Sequence, residues 1–281
     1  AWAHWMYPSG KAKPFSKGDD AGDLVETSFL AQALVTLRQY YASGNAEEKA
    51  LAQKADELWK GIDWNFYRKN NENVLYWHWS PTVGWKMNFA ITGYNECLIT
   101  YIMAACSPTH GVPAEVYHQG WAKSGKINTN ISMYGHPIKL KHNVVGESVG
   151  PLFWAHYSYL GLNPKGLKDR YADYWQENRN QTLINYDYAI ANPKGFKGYG
   201  KNSWGMTASY SVKGYKAHMP SEDFGVISPT AALSSYPYTP KESMQVIRNL
   251  YENMNDKVWG EFGFYDAYSE TDNWYPKRYI G

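Results

Sequence analysis

Four carboxylates lie within eight residues near the start of the chain, at Asp19, Asp20, Asp23 and Glu26. Hydrolysis of a glycosidic bond needs two carboxyl groups, because one protonates the leaving oxygen while the other activates water or attacks the sugar carbon. Asp23 and Glu26 also have the spacing of a helix capping box, so a structural role is the alternative. Four acids exceed what one cap requires, and we take Asp19, Asp23 and Glu26 as candidate catalytic residues.

A fifth carboxylate, Glu96, follows a Gly-Tyr-Asn turn and begins an almost entirely apolar segment. Apolar surroundings raise the pKa of a carboxyl group, which keeps a general acid protonated near neutral pH. A glutamate at a helix N-terminus can instead complement the helix dipole, and this alternative stays open. We predict Glu96 as the general acid, with the base supplied by the acidic block or by Glu222 and Asp223.

Aromatic side chains are the second feature of chemical interest, since the chain contains 13 Trp and 25 Tyr. Tyr and Trp combine a flat apolar face with a polar edge, which suits stacking on sugar rings. Many of them fall in loops rather than on helical stripes, and packing within those loops is the alternative explanation. The predicted substrate-binding residues are Trp77, Trp79, Trp85, Tyr94, Glu147, Trp204, Glu222 and Asp223.

The segment Gly146-Glu147-Ser148-Val149-Gly150 matches the nucleophile elbow of α/β-hydrolases, and a strand-like KLKHNVV precedes it. That fold requires a parallel sheet of alternating strands and helices, whereas residues 1–130 show the pattern of helical hairpins. A serine hydrolase is therefore the weaker hypothesis, and Glu147 is kept as a candidate acid of a sugar-binding cleft.

Composition excludes several classes of partner. A net charge of +2 offers no strong field for nucleic acid or an anionic membrane, and no apolar run approaches the ~18 residues of a membrane span. The eight His residues show no HExxH or comparable ligand spacing, so we expect no metal or other cofactor. The chain begins at Ala1 without a recognisable leader, and we expect a secreted or periplasmic monomer whose signal peptide is not in this sequence.

Helical periodicity organises most of the chain into one predicted domain, residues 1–281. An apolar stripe of Val25, Phe29, Ala33, Leu37 and Tyr40 marks the first helix and should be its buried face. The predicted helices cover residues 24–41, 46–61, 95–106, 151–160 and 168–191, with two more beginning at Ser228-Pro229 and Thr239-Pro240.

Some helices are predicted to be inner and others outer. The segment 95–106 is apolar on nearly every side and should be buried, whereas 168–191 is more polar and should be outer. Strand signals are confined to hairpin-sized patches at 130–145 and 258–268, so strands should hold less than roughly a fifth of the residues. Alternating inner and outer helices predict an all-α fold, an α/α toroid, although about eight helices are fewer than the twelve of a closed six-hairpin toroid.

Long blocks of the sequence resemble the glycoamylase-like domain of glycoside hydrolase family 144. They are GDDAGDLVETSFLAQALVTLRQYY, WHWSPTVGWKMNFAITGYNECLITYIMAACSPTH, GESVGPLFWAHYSYLGLNPKGLKDRYADYW and VISPTAALSSYPYTP. The resemblance covers nearly the whole chain. It implies an (α/α)6 toroid and endo-acting, inverting hydrolysis of β-1,2-glucan without a cofactor. The D-x-x-E of the family falls on Asp23 and Glu26, with Asp19 just upstream, and its N-E falls on Glu96.

Two departures from that family accompany the resemblance. Relatives extend further at both ends, so the toroid in this chain is expected to be incomplete. Tyr210 follows WGMTAS where many relatives have an acidic residue, which puts a contribution from that loop in doubt.

Two alternative functions stay open: a toroid that binds glycans without cleaving them, and a polysaccharide lyase. A lyase should place Arg or Lys opposite uronate carboxylates, whereas the candidate blocks here are acidic and aromatic. Binding alone does not require convergent carboxylates. The sequence therefore favours a hydrolase acting on an oligo- or polysaccharide.

Overall fold

The computed structural model of the protein describes residues 1–142 and 145–279. The chain forms two compact units, each described here by itself. Unit 1 comprises Ala1–Ile127 and Ser158–Leu162, and unit 2 comprises Asn128–Tyr157 and the described part of Asn163–Gly281. That the whole chain acts as one domain stays a prediction.

Unit 1 is built on three helices: α1 (Leu24–Tyr41), α2 (Ala46–Lys60) and α3 (Leu98–Cys106). Asn45 begins α2 with the reciprocal capping box that it forms with Glu48. α1 packs against both other helices, and the hydroxyl oxygens of Ser28 and Thr100 lie 2.9 Å apart between α1 and α3. The predicted hairpin of α1 and α2 is confirmed, and α3 begins at Leu98, three residues later than predicted.

The buried face of α1 differs from the predicted stripe. Leu24, Ala31 and Leu34 are buried, whereas Leu37 and Tyr40 are 44% and 78% exposed. The polar Thr27 and Ser28 lie on the buried side because their hydroxyl groups find hydrogen-bond partners there. The apolar spacing therefore predicted the correct helix but the wrong side of α1 as its buried face.

Unit 2 contains helices of very different lengths: α4 (Leu152–His156), α5 (Tyr174–Ala191), α6 (Pro229–Ser234), α7 (Pro240–Asn253) and α8 (Asn255–Val258). Its principal core joins α6, α7 and the loops around them through buried side chains such as Trp204, Ile227, Val246, Leu250 and Tyr268. Pro229 and Pro240 stand in the first helical turn, as predicted.

The predicted outer position of α5 is wrong. Eleven of its 18 residues are buried, many of them polar. Glu177, for example, accepts hydrogen bonds from the main-chain N–H groups of Lys139 and Leu140 at 3.0 and 3.3 Å. Buried polar groups are tolerated when they are paired in this way, so a polar composition did not indicate exposure.

Strands are short and form five antiparallel pairs within the described residues. Unit 1 has β1 (Trp5–Met6) with β2 (Ala12–Lys13), and β3 (Gly22–Asp23) with β4 (His78–Trp79). Unit 2 has β5 (Ser132–Met133) with β6 (His136–Pro137), β7 (Ala208–Ser211) with β8 (Gly214–Ala217), and β9 (Trp259–Gly260) with β10 (Gly263–Phe264). The helical fold with short hairpins is confirmed, although the hairpin at 208–217 was not predicted.

The nucleophile-elbow hypothesis lacks its scaffold in the described part of the chain, where every strand pair is antiparallel. Residues 143 and 144 of the predicted strand lie outside the described residues. Among the helices that are described, none is long and apolar enough to cross a membrane. Both cysteines are free thiols, Cys97 buried and Cys106 exposed.

Candidate active site

The strand pair β3–β4 places the acidic block beside the sequence Trp77-His78-Trp79. Asp23 is opposite His78 and Gly22 is opposite Trp79 in this antiparallel ladder. The main-chain N–H of Leu24 then donates to the carbonyl of Trp77 at 2.8 Å, which extends the contact into the first turn of α1. Two segments more than fifty residues apart thus meet at the N-terminus of α1.

Asp23 has no exposed surface, and both of its carboxylate oxygens are engaged. Oδ1 accepts the main-chain N–H of Glu26 at 3.0 Å, the N-cap bond of α1. Oδ2 lies 2.9 Å from Nδ1 of His4. The structural role weighed for this residue is therefore present, together with a buried carboxylate–imidazole contact that a simple cap does not require.

Asp19 joins the same cluster through a single oxygen. Its Oδ2 lies 3.3 Å from Nε2 of His78 and 3.6 Å from Nδ1 of His4. Burial raises the pKa of the Asp19 carboxyl above its usual range, and the neighbouring His78 acts in the opposite direction. Asp20, in contrast, accepts a hydrogen bond from the Thr82 hydroxyl at 2.7 Å, and its hydrogen bonds to Ser80 and Thr82 lower its pKa.

His4 and His78 are functional candidates that the sequence analysis missed. The hydrogen bond to Asp23 raises the pKa of His4, whereas burial lowers the pKa of His78. Neither histidine belongs to a recognised motif. The only sequence signal was their position between or beside tryptophans, in AWAHW and in WHW.

Glu26 and Glu96 complete the acidic set of unit 1. Glu26 is half-buried, and burial raises its pKa, with a further increase from the charge of Asp23. Glu96 is 9% exposed, and burial raises its pKa to about 7; the charges of Glu26 and Asp23 act in the same direction. Glu96 is thus buried, and its carboxyl is within electrostatic range of the first turn of α1.

Hydrogen bonds with Ser158 and Asn95 fix the main chain of the turn that contains Glu96. The Ser158 hydroxyl donates to the carbonyl of Glu96 at 2.6 Å and also accepts the N–H of Ile99. Asn95 Oδ1 accepts the N–H of Cys97 at 3.0 Å, and Tyr94 is fully buried. Glu96 therefore lies just before α3 rather than within it, in a turn with fixed geometry.

A hollow of about 280 Å³ lies beside the buried carboxylates. Phe15, Met87 and Phe89 contribute apolar walls, together with the predicted Trp77, while His4, Asp19 and His78 contribute the polar lining. Two other predicted tryptophans belong to an aromatic group of unit 1: Trp79 and Trp85 both pack against Phe66, at ring-centroid distances of 5.2 and 5.4 Å.

Three side chains of the cluster have the chemistry and proximity of metal ligands. One nitrogen of His4 and one oxygen each of Asp19 and Asp23 lie within 4.8 Å of one another. Imidazole and carboxylate donors suit a divalent ion such as Zn²⁺. The same atoms form the carboxylate–imidazole contacts described above, so the cluster has a complete explanation in those contacts.

The remaining predicted residues lie in unit 2. Glu147 is exposed, and Glu222 pairs with Lys216 at 2.9 Å. Trp204 has no exposed surface and packs edge-on against Tyr186 within the core, so neither face of its indole is open to a sugar ring in this structure. Tyr210, the departure from the family pattern, stacks on Tyr279 at 3.9 Å.

Asp223 is a buried hydrogen-bond acceptor. The Tyr199 hydroxyl donates to Oδ1 at 2.7 Å, and the Tyr188 hydroxyl donates to Oδ2 at 2.9 Å. The N–H of Gly225 also donates to Oδ1. These contacts explain Asp223 as an organiser of its loop, and its predicted part in substrate binding or catalysis stays a prediction.

Comparison with known proteins gives consistent results. The family model named Glycoamylase, described as "Putative glucoamylase", matches residues 88–281. The solved structure of an endo-β-1,2-glucanase from Chitinophaga pinensis, in complex with sophorotriose and glucose, is 62% identical with a TM-score of 0.97. The match covers 100% of this chain and 68% of that one.

Two more distant relatives come from Parabacteroides distasonis. The structure of a β-1,2-glucanase is 40% identical with a TM-score of 0.91, and the match covers 98% of this chain and 42% of that one. A curated exo β-1,2-glucooligosaccharide sophorohydrolase (non-reducing end) is 42% identical over 95% of this chain. The chain spans 39% of the length of that curated relative.

Proposed function

This chain belongs to the glycoamylase family, and from that premise we propose that it is a glycoside hydrolase that cleaves β-1,2-linked glucan within the polymer. The observation that carries the proposal is the contrast between Glu96 and the first turn of α1. A buried carboxyl with a pKa of about 7 stands within electrostatic range of Asp23 and Glu26. Acid–base hydrolysis of a glycosidic bond needs such a division between two carboxyl groups.

Glu96 is the proton donor in this proposal. Its carboxyl is half protonated near pH 7, so it can give a proton to the glycosidic oxygen as the bond to the anomeric carbon breaks. A water molecule attacks the anomeric carbon, and as its oxygen forms the new bond it gives a proton to a base. Acid and base then exchange their protons with solvent before the next cycle.

Glu26 is the base that the geometry favours. It is half-buried, which leaves its carboxylate accessible to a water molecule, and burial makes it a stronger base. Asp23 is a weaker candidate because both of its oxygens are already hydrogen-bonded and it has no exposed surface. Asp23 instead holds the first turn of α1, and therefore Glu26, in place.

Several features at a larger scale belong to the same proposal. The (α/α)6 toroid is supported by the paired helices and by the TM-score of 0.97 to the Chitinophaga pinensis enzyme. Action as a monomeric single domain and location outside the cytoplasm are also part of the proposal. Endo rather than exo cleavage is supported by the higher identity to the endo-acting relative.

The test is reducing-sugar release by the purified chain from a panel of β-1,2-, β-1,3-, β-1,4- and α-1,4-glucans. We expect release from β-1,2-glucan only, with products of several lengths at early times. Glu96→Gln should lower turnover by on the order of 10²-fold while binding of the glucan is retained.

Other outcomes would contradict the proposal in distinguishable ways. Binding of β-1,2-glucan without any release would identify a glycan-binding protein. Unsaturated products absorbing in the ultraviolet would identify a lyase. Full turnover by Glu96→Gln would place the acid elsewhere, with Glu26 and Glu147 the next residues to test.

A further inference from the structure

The hollow beside the carboxylates is lined partly by exposed apolar side chains and partly by polar side chains. Its apolar wall residues Phe15, Met87 and Phe89 are between 39% and 49% exposed. Its polar lining contains Asp19, which is 5% exposed. Exposed aromatic rings grouped around a buried carboxylate are typical of a binding site, since a ligand would cover the rings and pair with the acid.

We propose that this hollow binds one glucosyl unit of the substrate, with the sugar ring against the aromatic walls and its hydroxyl groups on Asp19. This inference rests on the proposed function, because the substrate class comes from there. It assigns Asp19 to substrate binding, whereas the sequence analysis took that residue as catalytic. It also adds Phe15 and Phe89, which no sequence pattern singled out.

The walls are held rigidly enough to serve as a preformed site. Phe15 stacks on the imidazole of His4 at 4.1 Å and meets Trp5 edge-on at 4.8 Å. Elsewhere in the lining, Trp77 is parallel to His78 and meets Phe89 edge-on at 5.5 Å. Rings already fixed by such contacts lose little conformational freedom when a ligand binds.

One turn carries both a wall and the polar lining. The carbonyl of Asp19 accepts the N–H of Phe15 at 2.9 Å, and the N–H of Asp19 donates to the carbonyl of Ser16 at 3.2 Å. These bonds hold the main chains of Phe15 and Asp19 close together, and both residues line the hollow. A pyranose has the matching arrangement, an apolar C–H face and an edge of hydroxyl groups.

The hydrogen bonds of Asp19 explain why it, rather than Asp23, is the sugar-binding acid. Both ion pairs of Asp19, to His4 and His78, use Oδ2, so Oδ1 takes part in neither. Asp23 has an oxygen in the helix cap and the other on His4. A carboxylate oxygen outside these ion pairs can accept hydrogen bonds from sugar hydroxyl groups, and such charge-assisted bonds are among the stronger ones.

The inference can be tested by calorimetric titration with sophorotriose, in a Glu96→Gln background so that the sugar is not consumed. Phe15→Ala and Phe89→Ala each remove an aromatic wall residue, and Asp19→Asn removes the charge of one carboxylate in the lining. We expect each to raise the dissociation constant about 10-fold. Phe262→Ala is the matched control, because Phe262 is 74% exposed and does not line the hollow.

The same substitutions in the active chain separate binding from catalysis. Phe15→Ala and Phe89→Ala should raise KM for β-1,2-glucan far more than they lower kcat, and Phe15→Trp should restore affinity. Near-ultraviolet circular dichroism checks that each variant is folded. Two walls are tested because loss of Phe15 alone could shift His4.

The results distinguish failure of the glucosyl site from failure of the proposed hydrolase function. If both phenylalanine variants bind sophorotriose as tightly as the Phe262→Ala control, the glucosyl site is refuted even when the chain is an active hydrolase. If Asp19→Asn lowers kcat with an unchanged dissociation constant, Asp19 is catalytic and the inference is likewise wrong. If sophorotriose binding depends on the hollow but no glucan is cleaved, the site stands and the proposed hydrolase does not.

Discussion

At the scale of single residues, burial separates the roles of carboxyl groups that look alike in sequence. Glu96 is buried, and burial raises its pKa to about 7. Asp23 is buried as deeply but accepts hydrogen bonds from a main-chain N–H and from an imidazole. For Glu96 the effect of burial exceeds that of the hydrogen bond within its own residue, so the neutral form is favoured. Glu96 is therefore suited to donate a proton, whereas both oxygens of Asp23 are engaged in contacts that hold the first turn of α1 and His4.

The first prediction concerns the pH dependence of turnover. In the proposed mechanism Glu96 acts in its protonated form, so kcat should fall as the pH rises through about 7, roughly tenfold for each further pH unit. An aryl sophoroside with a good leaving group needs no proton, so Glu96→Gln should cleave it without this alkaline decline. A kcat for glucan that is constant from pH 6 to pH 9 would show that Glu96 is not the acid.

The second prediction concerns His4, whose pKa is raised by its hydrogen bond to Asp23. In Asp23→Asn the helix cap is retained, because Asn is also a good N-cap, but the negative charge is lost. The titration midpoint of His4, followed by NMR, should therefore move down toward 6.5. Asp20→Asn is the control and should leave the midpoint in place, since Asp20 contacts Ser80 and Thr82 instead. An equal shift in both variants would contradict the assignment.

At the scale of elements, the sequence predicted best what is local. Asn45 begins α2 through its capping box with Glu48, and Pro240 occupies the first turn of α7, so both helices begin where predicted. Thr239, although it precedes α7, makes no side-chain capping hydrogen bond. The pairing of Asp23 with His78 spans more than fifty residues and involves strands only two residues long. Two residues carry no measurable periodicity, so the sequence could not show that His78 joins the acidic block.

The burial of polar helix faces was also not predicted from the sequence. The helix α5 carries a near-even mixture of polar and apolar residues, and its buried Glu177 is satisfied by main-chain groups nearly forty residues away. Such partners are set by tertiary structure and leave no local pattern. The candidate site shows the same limit: Glu96 was predicted from its own apolar surroundings, while Phe15 and His4 required the fold.

The third prediction tests the core of unit 2 through helix α7. Leu250 is fully buried there, and Leu250→Ala should lower the free energy of unfolding by about 2–5 kcal/mol, from lost apolar contact and the cavity that remains. Tyr251→Ala, one residue further on and 59% exposed, should change it by less than about 0.5 kcal/mol. Denaturant titration measures both, and equal losses would contradict the placement of α7.

At the scale of the whole molecule, the small net charge is consistent with the proposed uncharged substrate. The net charge is +2, and a glucan is uncharged. Long-range electrostatic steering therefore contributes little to association, and stacking on aromatic rings with short-range hydrogen bonds carries the affinity. Trp77 lines the hollow, whereas Trp64, Trp121 and Trp204 have no exposed surface, so the aromatic residues serve the core as well as the proposed sugar site.

The last prediction is the stereochemistry of the reaction catalysed by the whole chain. Inversion requires a water molecule between acid and base, with the two carboxyl groups about 6.5–9.5 Å apart, whereas a retaining enzyme needs about 5–5.5 Å. Glu96 precedes α3 and Glu26 lies in the first turn of α1, so they come from different elements. We expect proton NMR to show the α-anomer at the new reducing end during the first minutes, before mutarotation. Initial release of the β-anomer would instead mean that a carboxylate attacks the sugar directly, and Glu26 would then be the nucleophile to test.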